Sequence, residues 1–267
     1  DLVADELGLD PADVRRTNYI PPEDFPYTNG VGMNYDTGEY ARNLDHALQV
    51  ADYAGLRAEQ QRLRAEGRIV GVGLVTYVEL CAIGPYESAI VRVEPTGTVT
   101  VFTGASPHGQ GTVTSYSQIV ADRMGVPFDD IQVKHGDTAN TPMGVGTMGS
   151  RGLAVGGSAV VMAVNTVMEK ARKIAASMLE VSEADIDIQQ GQFQVRGAPG
   201  RSLTLKQVAE KAYSGAELPD NMSPGLDATD FFRPPDTTYP FGTHIALVEI
   251  DRDTGTPTVL RYYSIDD

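Results

Sequence analysis

The chain has a single cysteine, Cys81, among its 267 residues. A lone thiol cannot close an internal disulfide or build a thiolate metal site, which fits a reducing compartment and makes the cytoplasm the expected location. Basic residues are also scarce: 21 Lys and Arg stand against 36 Asp and Glu, for a formal charge of -15. No segment is long and basic enough to neutralise a run of phosphates, so no nucleic-acid partner is expected. No apolar run reaches about 18 residues, so no membrane partner is expected either. The opening DLVADELG lacks the basic stretch and apolar core of a signal peptide. The four histidines, His46, His108, His135 and His244, are scattered without a paired motif, so no direct metal ligand is expected.

Glycine, by contrast, is plentiful and clustered, with 28 residues. Asp10-Pro11-Ala12-Asp13 is a helix start: Asp10 caps, Pro11 suits the first helical position, and Asp13 adds a carboxylate at the positive end. A Pro- and Tyr-rich loop over 19–42 is followed by helices over about 43–53 and 55–66. From Arg68 the period changes to that of strands, over 69–79, 88–94 and 98–103, then a helix over 113–124 and a short strand over 131–133. The longest predicted helix, about 153–179, has a broad apolar face and is expected to be central. A hairpin over 186–195, a Thr204–Gln207 capping box, a loop over 216–240 and two strands over 244–249 and 258–263 complete the chain. The predicted class is α+β, with a mixed or antiparallel sheet and packed helices, divided into a lead-in segment 1–67 and a second region 68–267. Helically spaced Leu2, Val3, Leu7 and Leu9 at one end and a β-rich stretch at the other read as a domain or fragment.

Two loops stand out chemically. Gly104 to Thr112 joins a strand to a helix; small residues let a ligand approach the backbone, and Gln110 offers an amide that both donates and accepts. His135-Gly136-Asp137-Thr138 leads through Gly144, Gly146, Gly149, Ser150, Arg151 and Gly152 to Gly156-Gly157 and another helix start, with Arg151 suited to a charged group. Neither carries a Gly-Lys-Ser/Thr phosphate loop or the Gly-x-Gly-x-x-Gly of a dinucleotide fold. On physical grounds each loop reads equally as a tight turn or a binding site. Two of them, separated by one helix and one strand, are able to converge on one ligand. Cys81 reads as a small buried hydrophobe, whereas Glu79, a carboxylate within an apolar strand, reads as a candidate near a ligand pocket.

The runs Gly71-Val72-Gly73, Tyr77-Val78-Glu79-Leu80-Cys81, Gly104-Ala105-Ser106-Pro107-His108-Gly109-Gln110-Gly111, His135-Gly136-Asp137-Thr138, Gly149-Ser150-Arg151-Gly152 and Phe241-Gly242-Thr243-His244 resemble the molybdenum-binding large subunit of the xanthine dehydrogenase and aldehyde oxidase superfamily, and within it the carbon monoxide dehydrogenase large chains. The resemblance covers essentially the whole chain. It implies molybdopterin cytosine dinucleotide with molybdenum as cofactor. It also implies that His108, Gly109, Gln110, Gly111 and Thr112 lie on one side of the pterin, and Thr147, Gly149, Ser150, Arg151, Gly156 and Gly157 on the other. His135, Asp137 and Thr138 would support the second loop from behind, with Glu79 as a further supporting residue.

The family's chemistry is hydroxylation of a small molecule, an aldehyde, an N-heterocycle or carbon monoxide, with oxygen drawn from water, while iron–sulfur and flavin subunits take the electrons. The family's general-base glutamate lies in a motif that this sequence does not contain, and Cys81 does not match the copper-binding cysteine loop. The expectation is therefore a first half of the molybdopterin-binding region, inactive alone, whose further partner is the remainder of its large subunit. Exposed surface that would meet that remainder predicts self-association in isolation. Two other accounts stay open: a small subunit of a split enzyme, and a non-catalytic protein that binds or helps mature the cofactor.

Overall fold

The chain builds two units, residues 1–81 with 237–267 and residues 82–236, in a computed structural model that describes residues 1–141 and 143–267. The first unit opens with helices α1 (Leu2–Leu7) and α2 (Pro11–Thr17), a small hairpin of β1 (Tyr27–Thr28) and β2 (Asn34–Tyr35), helices α3 (Tyr40–Val50) and α4 (Tyr53–Ala65), and strand β3 (Ile69–Val78). The second contains β4 (Glu87–Val93), β5 (Val99–Thr103), α5 (Thr112–Met124), β6 (Ile131–Lys134), α6 (Ser158–Leu179), β7 (Ile186–Gln189), β8 (Gln192–Val195), β9 (Ala198–Thr204), α7 (Leu205–Ser214) and β10 (Asp227–Phe232). The chain then returns to the first unit for β11 (Phe241–Ile250) and β12 (Pro257–Asp266).

In the first unit β3 pairs antiparallel with β11, from Ile69 opposite Ile250 to Val78 opposite Phe241, and β12 flanks β11 on its other side. The two-residue period of the strands turns Val70, Leu74, Ile245 and Leu247 onto Leu44, Ala47, Leu56 and Leu63 of α3 and α4, forming one core. The lead-in helices therefore share a core with β3 and β11 and do not stand apart at residue 67. Asp10 caps α2 as its sequence predicts, accepting from Ala12 N at 2.8 Å. Strand β3 stops at Val78, so Glu79 falls beyond it and is exposed.

Side chains on neighbouring strands of this sheet form a network around Asp266. Tyr77 Oη donates to Asp266 Oδ1 at 2.8 Å, Ser264 Oγ donates to Oδ2 at 2.6 Å, and His244 Nε2 lies 3.0 Å from Oδ1. Ser264 Oγ is also 3.0 Å from that same His244 nitrogen, and Nδ1 is paired with Tyr262 Oη. Serine and aspartate share one edge of the imidazole, so this is no relay triad, which needs them on opposite nitrogens.

The second unit has a four-stranded sheet in the order β10-β4-β5-β6, with β6 parallel to β5 and the other pairs antiparallel. Helix α5 makes the crossover between the parallel strands. Val160, Val164 and Val167 of α6 share a core with Val91, Val93, Val99 and Val101 of the central strands. Among the described residues, Gly152–Leu179 is the one helical stretch with the length and composition of a membrane span. Ala159, Val160, Ala163, Val164, Val167, Ala171, Ile174, Ala175 and Ala176 are packed in this core, while Leu153 and Met162 are exposed. Strand β10 lies within the stretch 216–240 whose sequence predicts only loop. Two aspartates in Asp227-Ala228-Thr229-Asp230-Phe231-Phe232 lower its intrinsic strand preference, and pairing with β4 overrides them. Thr204 and Gln207 form the predicted reciprocal cap of α7.

Two predictions follow from these contacts. Gly125 ends α5 at φ 66, and a Cβ there would collide with the backbone of Gln190 and Gly191. Gly125→Ala is expected to destabilise the chain by at least about 2 kcal/mol, measured as a lowered urea midpoint. The hydrogen bonds of Ser264, His244 and Tyr77 hold the Asp266 carboxyl down at about 2. Its folded-state pKa is depressed, so its contribution is complete above the ordinary carboxylate value of about 3.9 and is lost as pH falls toward about 2. Asp266→Asn should flatten the acid limb of the stability profile in that window and leave the neutral region's slope unchanged.

Candidate functional site

The loop after β5 and the loop before α6 meet. Both are narrow where they touch: a Cβ added to Gly104 would lie 2.7 Å from Gly144 Cα, so neither position has room for a side chain. Further along, Ser106 N donates to Thr147 Oγ1 at 2.8 Å. Gly109 and Gly111 take φ of 103 and 83, a region where glycine carries no steric penalty. Gln110 between them folds back so that its Oε1 accepts from His108 N at 2.5 Å. The carbonyl end of that amide is thereby committed to its own loop, and its Nε2 is left as a donor.

The second loop is tied down from inside the protein. Arg151 and Glu87 are each 1 % exposed, and Arg151 Nη1 meets Glu87 Oε2 at 2.8 Å. Arg151 also donates through Nε to Ile83 O at 2.8 Å, through Nη1 to Gly146 O and through Nη2 to Tyr86 O. Glu87 accepts in addition from the backbone N of Val145 and Gly146, at 3.3 and 3.2 Å. The guanidinium is thus occupied inside the protein and does not face a charged ligand, contrary to the role its sequence position suggests. Glu87 is the residue that sequence reasoning missed, with suspicion falling instead on the exposed Glu79, which belongs to the other unit. The signal that marks Glu87 is topological: β4 has a strand on each side, so a carboxylate at its start is enclosed.

Between the two loops lies a cleft of about 500 Å³. Of the predicted residues, His108, Gln110, Thr112, Thr147, Gly149, Ser150 and Arg151 line it, joined by Ser115, Tyr116, Met148, Gly152 and Leu153. Gly109 and Gly111 flank Gln110 with open space on their Cβ side. Gly156 and Gly157 are buried and are not among its lining residues. A Cβ on Gly156 would collide with Tyr116 Oη, which donates to Gly152 O at 2.6 Å. Burial pushes the Tyr116 hydroxyl up to about 12, so it stays protonated and keeps that bond. Asp137 and Thr138 line a second hollow, of about 510 Å³, together with Gly104 and Gly144. Asp137 accepts from Ala139 N and Asn140 Nδ2, bonds that hold its carboxyl below the usual range. His135 is exposed at the end of β6.

Apart from the His108 imidazole and the Arg151 guanidinium, which is paired with Glu87, the cleft's polar groups are amide, hydroxyl and backbone groups. Such a set of neutral donors and acceptors suits a hydrogen-bonding heterocycle better than a phosphate. Among the described residues no three His, Cys, Asp or Glu side chains are grouped to hold a metal ion.

Removing one partner of the buried pair strands the other. Glu87→Gln is expected to lower unfolding stability by about 3–5 kcal/mol. Glu87→Leu combined with Arg151→Met should recover most of that loss in urea unfolding, while leaving the second loop without its charged anchor.

Residues 46–267 match the family model of the molybdopterin cofactor-binding domain. The carbon monoxide dehydrogenase large chain of Hydrogenophaga pseudoflava is 40% identical over 281 aligned positions, covering 100% of this chain and 35% of that protein. The solved carbon monoxide dehydrogenase from Oligotropha carboxidovorans superposes with a TM-score of 0.86 at 38% identity, over 99% of this chain and 35% of that one. Quinoline 2-oxidoreductase from Pseudomonas putida 86 does so with a TM-score of 0.86 at 34% identity, over 100% of this chain and 36% of that one. The chain thus spans about a third of the length of the relatives it matches. By this match over most of its length, the chain belongs to the molybdopterin cofactor-binding domain family.

Proposed function

We propose that the cleft between the two glycine-rich loops holds the pterin end of molybdopterin, in its cytosine dinucleotide form. The protein it serves would be a large-subunit oxidoreductase that hydroxylates a small molecule with oxygen from water. The observation that carries this reading is the convergence itself. Loops separated by helix α5 and strand β6 are locked together at Gly104–Gly144 and at Ser106–Thr147, and they present hydroxyls and a glutamine amide to one cleft.

In this reading Gln110 donates through Nε2, its carbonyl already committed to His108 N, which fixes the direction of the amide. Thr112 supplies a hydroxyl that donates or accepts as the ring edge requires, Thr147, whose Oγ1 already accepts from Ser106 N, supplies one that donates, and Ser150 lines the same cleft. Gly109, Gly111 and Gly149 keep side chains away from the ring's approach. Arg151 acts from within, holding the backbone of 146–151 where those hydroxyls are needed. Asp137 and Thr138 would stiffen the start of the second loop from its other side. The bound molybdenum cofactor supplies the two-electron oxidation of substrate.

Relatives that share this cleft's chain segment include proteins named for carbon monoxide and for quinoline, which supports an electron-poor small molecule such as an aldehyde, an N-heterocycle or carbon monoxide as the substrate of the whole protein. The general base, the rest of the large subunit and the iron–sulfur and flavin partners would come from outside these residues.

Molybdenum content decides the matter. In the purified parent subunit, Gln110→Ala combined with Thr147→Val is expected to lower bound molybdenum and extractable pterin by about tenfold, with circular dichroism unchanged. Full molybdenum and pterin occupancy in that variant would overturn the assignment of the cleft.

A further inference from the structure

A cavity of about 210 Å³ lies wholly within the first unit, away from either glycine-rich loop in sequence. Aromatic rings form its wall: Tyr19, Tyr40, Tyr77 and Phe241. Tyr40 is the hub, meeting Tyr19 edge-on at 5.9 Å between centroids and Phe241 at 4.9 Å. Tyr77 and Val78, 38% and 37% exposed, lie at the solvent side. Among the described residues no carboxylate, ammonium or guanidinium lines it.

Three polar atoms in this wall are buried without a partner among the described residues: Tyr19 Oη, Tyr40 Oη and Asn43 Oδ1. The Asn43 amide is oriented by its other end, because Nδ2 donates to Ile265 O at 3.2 Å. Oδ1 is therefore held as an acceptor. Burial pushes the Tyr40 hydroxyl up to about 12, so it remains protonated and able to donate. Buried polar atoms are nearly always paired in folded proteins, and Tyr40 Oη and Asn43 Oδ1, two of these three orphans and complementary in character, point to a ligand that supplies both of their partners.

We propose that this cavity binds a small, uncharged, planar aromatic molecule bearing a carboxamide. An amide N–H would meet Asn43 Oδ1, its carbonyl would accept from Tyr40 Oη, and its ring would lie against the tyrosine and phenylalanine faces. The absence of charge in the wall selects against carboxylates and amines, which would have to shed their hydration without compensation.

Benzamide is the probe, titrated to about 50 mM against the 267-residue chain and followed by NMR; the affinity of so small a ligand is expected in the millimolar range. Saturable shifts of the Asn43 side-chain amide and the Tyr40 ring are the expected result. Acetophenone keeps the ring and carbonyl and replaces the amide nitrogen by a methyl, so it should bind about three- to tenfold more weakly, the loss of one hydrogen bond. Tyr40→Phe retains the ring cluster and should weaken benzamide to a similar degree. The ligand pair tests the proposal even where a variant misfolds. Absence of saturable shifts, equal affinity for benzamide and acetophenone, or an unchanged affinity in Tyr40→Phe would each overturn it, and water would then be the partner of these atoms. Loss of molybdenum binding in the Gln110 and Thr147 variant would not bear on this result, because the two sites share no residue.

Discussion

The buried pair of Glu87 and Arg151 is the constraint on which the site depends. A glycine-rich loop has many conformations and few side chains with which to choose among them, so its order must be imposed from elsewhere. Arg151 does this with one planar fork that reaches four acceptors at once, three of them main-chain carbonyls. Glu87 answers with acceptors for the backbone of 145–146. Taking both charges out of water is expensive, and the pair survives because nearly every lone pair and proton it brings inside is satisfied. The glycines at 104 and 144 are the counterpart of this arrangement, since a methyl at either would press against Glu87.

Local signals in the sequence translated directly into structure. The Asp10-Pro11 start of α2, the Thr204–Gln207 cap and the apolar period of α6 each depend on residues within a turn or two, and each forms as expected. What was not legible depends on pairing at a distance. The run 227–232 becomes a strand because β4 offers it a free edge, and Glu87 becomes buried because of that same pairing. Gly156 shows a subtler case. Its place in a glycine motif suggests ligand contact, whereas its lack of a side chain makes room for the Tyr116 hydroxyl. The loop residues themselves were identified by family resemblance, and the physical reading of glycine and amide chemistry left binding and tight turning equally open.

Charge is distributed unevenly relative to chemistry. The chain is strongly acidic overall, yet its central buried ion pair is balanced one to one and, His108 and the paired Arg151 aside, the cleft presents neutral groups. Neutral donors in a partly enclosed site hold a ligand by direction, with little dependence on salt, because screening acts on net charge and hardly on short hydrogen bonds. The acidic residues lie mostly on the exposed surface, where their contribution is to solubility.

The second unit is inserted between two strands that are immediate partners. β3 runs out of the first unit and β11 runs back into it beside β3, residue against residue, and just beyond them Cys81 and Thr238 close a last bridge through reciprocal backbone bonds at 2.9 and 3.2 Å. The two covalent crossings into residues 82–236 therefore leave the first unit side by side. Such an arrangement is a cassette: the whole insert enters and leaves through one doorway, and exchanging it between homologues at those two adjacent junctions would preserve the register of the sheet that carries it. Recombination within this family would then have a structurally neutral seam along which to reassort loops while retaining the frame.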